Sequence, residues 1–229
     1  MVRCSSCSCG LVRAYPRYRS FRRFTTIQSW GWKDVREPRL SKAFSDDNLK
    51  ENILPKLKIL QDRGFPAAAG AKLLDIGCGT GAFLKAARDA GFKVTGIEPS
   101  WFSSRWARKN LGLDVLTTAT EKFRPLAKYD VVTCLHTIEH LANPLKAVER
   151  IASFCSKDGI ILVATPNLGC EVARRLGADW KAVGPADHLF LFDRDTLEKT
   201  LRRAKMEVLE IIETGDENEE LVGICRPAS

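Results

Sequence analysis

From residue 72 onward, short apolar runs alternate with stretches whose apolar positions recur every three or four residues. A short apolar run bounded by turn residues suits a buried strand, and the wider spacing suits a helix with one buried face. The pattern predicts strands over 72–76, 93–97, 114–117, 129–135 and 159–164. It predicts helices over 80–90, closed by Gly91, over 101–110, closed near Gly112, and over 145–154. Upstream, Ile53, Leu57 and Leu60 share one face of a helix expected over 48–63, with Gly64 and Pro66 as its stop. Strand–helix alternation of this kind specifies a parallel sheet covered on both faces. The end of the chain breaks the alternation. After a helix over 195–204, strands over 206–212 and 221–226 are joined by an acidic turn, 214–220, and read as an antiparallel hairpin. The expected fold class is α/β, doubly wound and mostly parallel, with a C-terminal antiparallel hairpin.

Residues 1–45 lack this periodicity and read as an irregular arm, leaving 46–229 as the folded domain. Arg3, Arg13, Arg17, Arg19, Arg22, Arg23 and Lys33 give the first 33 residues seven cations and no acid, out of a formal net charge of +8. The basicity of the chain therefore belongs to the arm. A basic arm can touch nucleic acid, but no base-stacking platform accompanies it, so a solvated tail is the plainer reading. No apolar stretch approaches the ~18 residues of a membrane span. The first residues also lack the apolar core of a secretory signal, which leaves a cytoplasmic chain as the expectation. An Arg-rich, Ser-rich, acid-free start is the signature of an organellar transit segment as well, and that is the alternative. Cys78, Cys134, Cys155 and Cys170 are scattered and read as thiols. Cys4, Cys7 and Cys9 cluster, but three cysteines are one ligand short of a closed structural zinc site.

The strongest local signal is Gly77-x-Gly79-x-Gly81, delivered by a buried strand into a helix. Glycine permits positive φ and lets a ligand approach the main chain, and the helix N-terminus behind it offers unused N–H groups. The next strand ends in Glu98, where a carboxylate can accept both hydroxyls of a ribose. Nicotinamide dehydrogenases also use a glycine loop, with G-x-G-x-x-G spacing. The spacing here differs, and Asp75 at the strand end would repel a pyrophosphate. A nicotinamide-dependent oxidoreductase is therefore the rival reading.

Leu74-Asp75-Ile76-Gly77-Cys78-Gly79-Thr80-Gly81, Gly96-Ile97-Glu98-Pro99-Ser100, Glu139-His140-Leu141-x-x-Pro144 and Thr165-Pro166-Asn167 together resemble the class I S-adenosylmethionine-dependent methyltransferases. Within them the chain is similar to the bacterial methyltransferase-domain 23 type group, often associated with polysaccharide or natural-product modification. The resemblance runs from about residue 45 to 226. It implies a seven-stranded sheet with the last strand antiparallel, and S-adenosylmethionine as cofactor. That molecule carries no phosphate and is cationic at its sulfonium and ammonium, so Asp75 is tolerable beside it. Gly77, Cys78, Gly79, Thr80 and Gly81 would then hold the methionine part, and Glu98 the ribose. Ala119 and Thr120 would lie near adenine. Phe83, Pro99, Ser100 and Leu135 complete the implied cofactor set. The implied reaction is methyl transfer, to oxygen, on a small-molecule, saccharide or lipid-linked acceptor. An RNA 2′-O-methyltransferase is the alternative.

The chain has three histidines. His136 and His140 flank Glu139 just after the fourth strand, and on a helix these positions would share one face. His188 follows the fifth strand, so all three could gather at the strand ends. His136, with an ordinary pKa near 6.5, is suited to act as a general base on a hydroxyl acceptor. Alternatively, His136, Glu139, His140 and His188 could bind a divalent metal, or Glu139 and His140 could only tie the loop to the fold. The ubiquinone-biosynthesis O-methyltransferases and the small-RNA 3′-end methyltransferases carry a Glu-x-x-Glu-His metal cluster. Here its first position is His136, and only Glu139 and His140 match; the small-RNA enzymes add a downstream His in a segment resembling Asp187-His188-x-Phe190. No metal is assigned on this pattern. The segment 168–187, with Trp180 and the Arg174-Arg175 pair, is expected to form a substrate lid. Some relatives carry an N-terminal zinc ribbon ending in Cys-x-x-Cys-Gly-Leu, of which Cys4 to Leu11 resembles a degenerate remnant.

Overall fold

The structure, a computed structural model, describes residues 2–3, 10–11, 37–65, 70–183 and 188–228, and of 2, 3, 10, 11 and 37–39 the backbone only. The cysteines at 4, 7 and 9, most of the basic arm and residues 184–187 of the expected lid lie outside the described residues. The chain divides into two compact units, residues 19–133 and residues 134–229 with 1–18.

In the first unit, helix α1 (Glu37–Ala43) leads through a Ser45-capped turn to α2 (Leu54–Asp62). The single helix expected over 48–63 is interrupted by a π-helical turn, Leu49–Ile53, in which Leu54 N–H reaches back to Leu49 O. Pro55 explains the break: it has no N–H to continue the α-helical ladder. Strands β1 (Lys72–Ile76), β2 (Lys93–Ile97) and β3 (Val115–Leu116) run parallel, as does β4 (Tyr129–Leu135), which pairs Thr133 with Asp75. Leu73, Leu74 and Ile76 are all fully buried, and Asp75 between them is buried too, so β1 is covered on both faces. Helices α3 (Ala82–Asp89) and α4 (Trp101–Leu111) follow β1 and β2. Gly112 ends α4 in the left-handed conformation, the stop expected from sequence.

The second unit takes the end of β4, helix α5 (Pro144–Phe154), β5 (Cys155–Pro166), α6 (Glu171–Leu176), α7 (Arg194–Arg203), β6 (Met206–Thr214) and β7 (Glu220–Pro227). β7 pairs antiparallel with both β5 and β6, with a register shift at Ile224/Cys225. The seven strands are ordered β3-β2-β1-β4-β5-β7-β6. β5 starts four residues earlier than expected, because Cys155 turns directly from the end of α5 into extended backbone. The hairpin strands are also longer than expected, which shortens the acidic turn.

A second, three-stranded sheet joins Val2–Arg3, Gly10–Leu11 and Phe190–Leu191. Strands of two residues are too short for any hydrophobic period, and the sequence reading missed them. Within the expected lid segment, Trp180 faces inward. It is 1% exposed, packed in a cluster with Cys170, Val172, Ala173, Ala182 and Leu191. Its indole N–H donates to Glu219 at 2.7 Å. No helix among the described residues is long and apolar enough to cross a membrane.

Candidate active site

The glycine loop of the first unit takes the shape its composition permits. Gly77, Gly79 and Gly81 have φ of 72°, 53° and 84°, all in the left-handed region. Gly77 N–H and Cys78 N–H both donate to Ile97 O, at 2.8 and 3.2 Å, tying the loop to the end of β2. Glu98 closes it from the same strand end. Its carboxylate accepts from Gly79 N–H at 3.1 Å and from Ser100 N–H at 2.6 Å.

The remaining cofactor candidates sort by where their side chains point. Asp75 is buried and accepts from Thr133 Oγ1 at 2.7 Å. Ser100 is buried as the N-cap of α4, and Pro99 beside it is exposed. Thr80 and Thr120 are buried, and Ala119 O accepts from Lys122 and Phe123 in the turn that follows β3. The structure places the Phe83 ring in the core. The Cys78 thiol also packs inward, where a Cβ on Gly96 would meet its sulfur at 2.6 Å. Only the main chain of Cys78 is thus offered to a ligand. Thr133 was not singled out from sequence, since a threonine inside an apolar strand gives no sign of its partner.

Burial pushes the Asp75 carboxyl up to about 7, against the hydrogen bond from Thr133 and helped by the charge of Glu98. In the unfolded chain the group titrates near 3.8. The folded state therefore holds this proton where the unfolded chain loses it. The contribution to stability is fully present below about pH 4 and is lost as pH rises through about 7. The loss is at most roughly 4 kcal/mol. Asp75→Asn should match the wild type in denaturant resistance near pH 4 and exceed it near pH 8. Parallel pH profiles for the two proteins would show that Asp75 is not held in this state.

The histidines of the second unit gather around Glu139, although not on a helix. His136 has φ of 47°, outside any helix, and only Ile138–His140 form a short 3-10 turn. Leu189 N–H donates to Glu139 O at 2.8 Å, which brings the neighbouring His188 in. The His140 and His188 rings lie 4.8 Å apart, and His136 Nδ1 lies 3.6 Å from Glu139 Oε1. Glu139 is fully buried, and its Oε2 accepts from Thr165 at 3.1 Å. Its Oε1 is the buried side-chain oxygen without a hydrogen-bond partner among the described residues. Burial would raise this carboxylate, but the nearby His136, 3.6 Å away, holds it below its usual range.

His136 has a partner that sequence reasoning missed. Its Nε2 lies 2.6 Å from Glu220 Oε1, at the start of β7. Desolvation would lower its pKa, but the hydrogen bond to Glu220 and the charges of the Glu139 and Glu220 carboxylates raise it to about 9. At neutral pH this favours the cationic ring, whereas a general base needs the neutral one.

A model of the methyltransferase domain matches residues 38–211. The chain belongs to that family. It is similar to the ubiquinone biosynthesis O-methyltransferase of Actinobacillus pleuropneumoniae, 34% identical over 109 residues, 43% of this chain and 47% of that protein. The chain thus matches about half the length of that relative. Among solved structures it is similar to an S-adenosylmethionine-dependent methyltransferase from Clostridium acetobutylicum, with TM-score 0.62, 13% identity, and coverage of 80% and 96% of the two chains. It is also similar to the magnesium protoporphyrin IX methyltransferase of Synechocystis with bound S-adenosylhomocysteine, with TM-score 0.65, 16% identity and 93% coverage of each chain. The shared architecture is that of the class I, S-adenosylmethionine-dependent methyltransferases. Membership in this family sets aside the nicotinamide oxidoreductase reading.

Proposed function

We propose that this methyltransferase holds S-adenosylmethionine on residues 77–81 and Glu98 and methylates an oxygen of a small-molecule acceptor. The observation that carries the cofactor reading is the pairing of an open left-handed glycine loop with two buried carboxylates, Asp75 and Glu98. Such a cradle is hostile to phosphate and suited to a cationic nucleoside. Transfer to oxygen on a small molecule is supported by the named activity of the Actinobacillus relative.

When bound, the cofactor would supply an activated methyl group for in-line transfer to the acceptor oxygen, with the thioether S-adenosylhomocysteine as leaving group. The protein's share is positioning, exclusion of water and charge. Of the cluster around Glu139, His136 is the group an acceptor can reach, since its side chain is 48% exposed while Glu139 is fully buried behind it. As a cation it would stabilise the oxyanion of an acceptor whose hydroxyl proton has passed to water.

With methyl-labelled S-adenosylmethionine and the catechol probe 3,4-dihydroxybenzoate, label should appear on the probe. His136→Ala should lower that rate by ~10²-fold with cofactor affinity unchanged. Normal turnover by the variant would make His136 structural. Label on RNA in place of the catechol would replace the acceptor assignment.

A second reading, a divalent cation on Glu139, His140 and His188, rests on a specific observation. One ligand atom from each lies within 4.8 Å of the others. His188 Nδ1 lies 2.8 Å from Ala182 O, and a ring nitrogen held by a backbone carbonyl is common for a metal-bound histidine. The unpartnered Glu139 Oε1 also fits. Activity lost to a chelator and restored by magnesium, manganese or zinc would support this reading, and unchanged activity would remove it.

A further inference from the structure

We propose that Glu220 is a positioning residue for methyl transfer, fixing the imidazole of His136 from the first residue of β7. The proposal rests on the role given to His136 above.

His136 is an unlikely place for a well-ordered ring on local grounds. Its backbone is left-handed at φ 47°, a conformation that costs a non-glycine residue on the order of 1 kcal/mol. Its side chain is half exposed, so packing leaves it rotamer freedom. The ring is nevertheless approached at both nitrogens. Glu220 Oε1 lies 2.6 Å from Nε2, and Glu139 Oε1 lies 3.6 Å from Nδ1. Glu220 is itself buried, and its other oxygen accepts from Thr214 Oγ1 at 2.6 Å.

The sheet register places that carboxylate. Glu220 pairs with Thr214 on one side and with Pro166 on the other. The preceding residue, Glu219, accepts from Asn167 N–H at 2.7 Å, locking the start of β7 against the end of β5. On the β5 side, His136 N–H donates to Ala164 O at 2.9 Å. Backbone and side chain of His136 are thus anchored to the same pair of strands. A buried carboxylate tethered by a threonine and aimed at an exposed ring does little to fill a core. What it does is orient a group that solvent, or an acceptor, can touch. Its neighbours Glu217 and Glu219 serve surface and packing instead, binding Arg175, Lys181 and Trp180.

The test combines kinetics with ring NMR on the full chain. With the catechol probe, Glu220→Ala should lower kcat about tenfold or more, while KM and S-adenosylmethionine affinity change less than about twofold. Glu220→Gln keeps an acceptor for the ring and should recover kcat to within about threefold of wild type. Thr214→Val, which removes the tether and leaves the strand bonds, should show a smaller loss in the same direction. The chain has three histidines, so the ring signals of His136 are assigned by their absence in His136→Ala. They should shift in Glu220→Ala, stay near wild type in Glu220→Gln, and respond to the probe only where the ring is held. A lower melting temperature with unchanged kcat and unchanged His136 signals would reduce Glu220 to a structural role and overturn the proposal. If the wild type fails to methylate the probe, the small-molecule acceptor reading fails for this probe. The His136 signals then still decide whether Glu220 holds the ring.

Discussion

Gly79→Val should abolish S-adenosylmethionine binding and leave the fold standing. A Cβ built at Gly79 meets no atom within 4 Å, so the new side chain would project into the open space above the loop. That is where a ligand lying on the glycine main chain must sit. The folding cost is confined to placing a β-branched residue at φ 53°, roughly 1–2 kcal/mol. The neighbouring glycines behave differently. A Cβ on Gly81 would lie 2.6 Å from Leu113 Cδ1, and one on Gly96 2.5 Å from Leu84 Cδ1, so valine at either position damages packing first. Calorimetry should find cofactor affinity reduced by more than ~10²-fold in Gly79→Val, with a cooperative melting transition retained. Wild-type affinity in this variant would remove the loop from the cofactor site.

Glu98→Ala should weaken cofactor binding by roughly 1.5–3 kcal/mol, about 10- to 150-fold. Two losses add. The ligand loses a charged acceptor, and the loop loses the bonds to Gly79 N–H and Ser100 N–H that set its shape. Glu98→Gln keeps one acceptor oxygen and should fall between the wild type and Glu98→Ala. Titrations of the three proteins, with melting curves alongside, separate these contributions. Equal affinity in all three would mean that Glu98 serves only the loop.

Much of the geometry of the proposed cofactor loop was legible because it is local. The strand, the three glycines and the carboxylate at the next strand end are fixed by short-range pattern, and β1 is buried on both faces. The histidine cluster was legible only in part. The spacing of 136, 139 and 140 pointed to a helix, yet the chain turns left-handed at His136, and the gathering depends on the backbone bond from Leu189 to Glu139. Glu220 was hidden inside an acidic run. Nothing in the one-dimensional pattern separates it from Glu217 or Glu219, because its role comes from pairing opposite Pro166 and Thr214. The inward packing of Trp180 was hidden for the same reason, since its apolar neighbours come from elements the pattern does not bring together.

The central claim is that the glycine loop and its two carboxylates bind S-adenosylmethionine. Isothermal titration of the wild-type chain with S-adenosylmethionine, and separately with NAD, tests it most directly. The expected result is saturable binding of one S-adenosylmethionine per chain. Because the cationic ligand favours the ionised form of Asp75, binding should release protons to buffer below about pH 7. NAD should give no saturable signal. Tight NAD binding, or no heat with S-adenosylmethionine at any pH, would contradict the account.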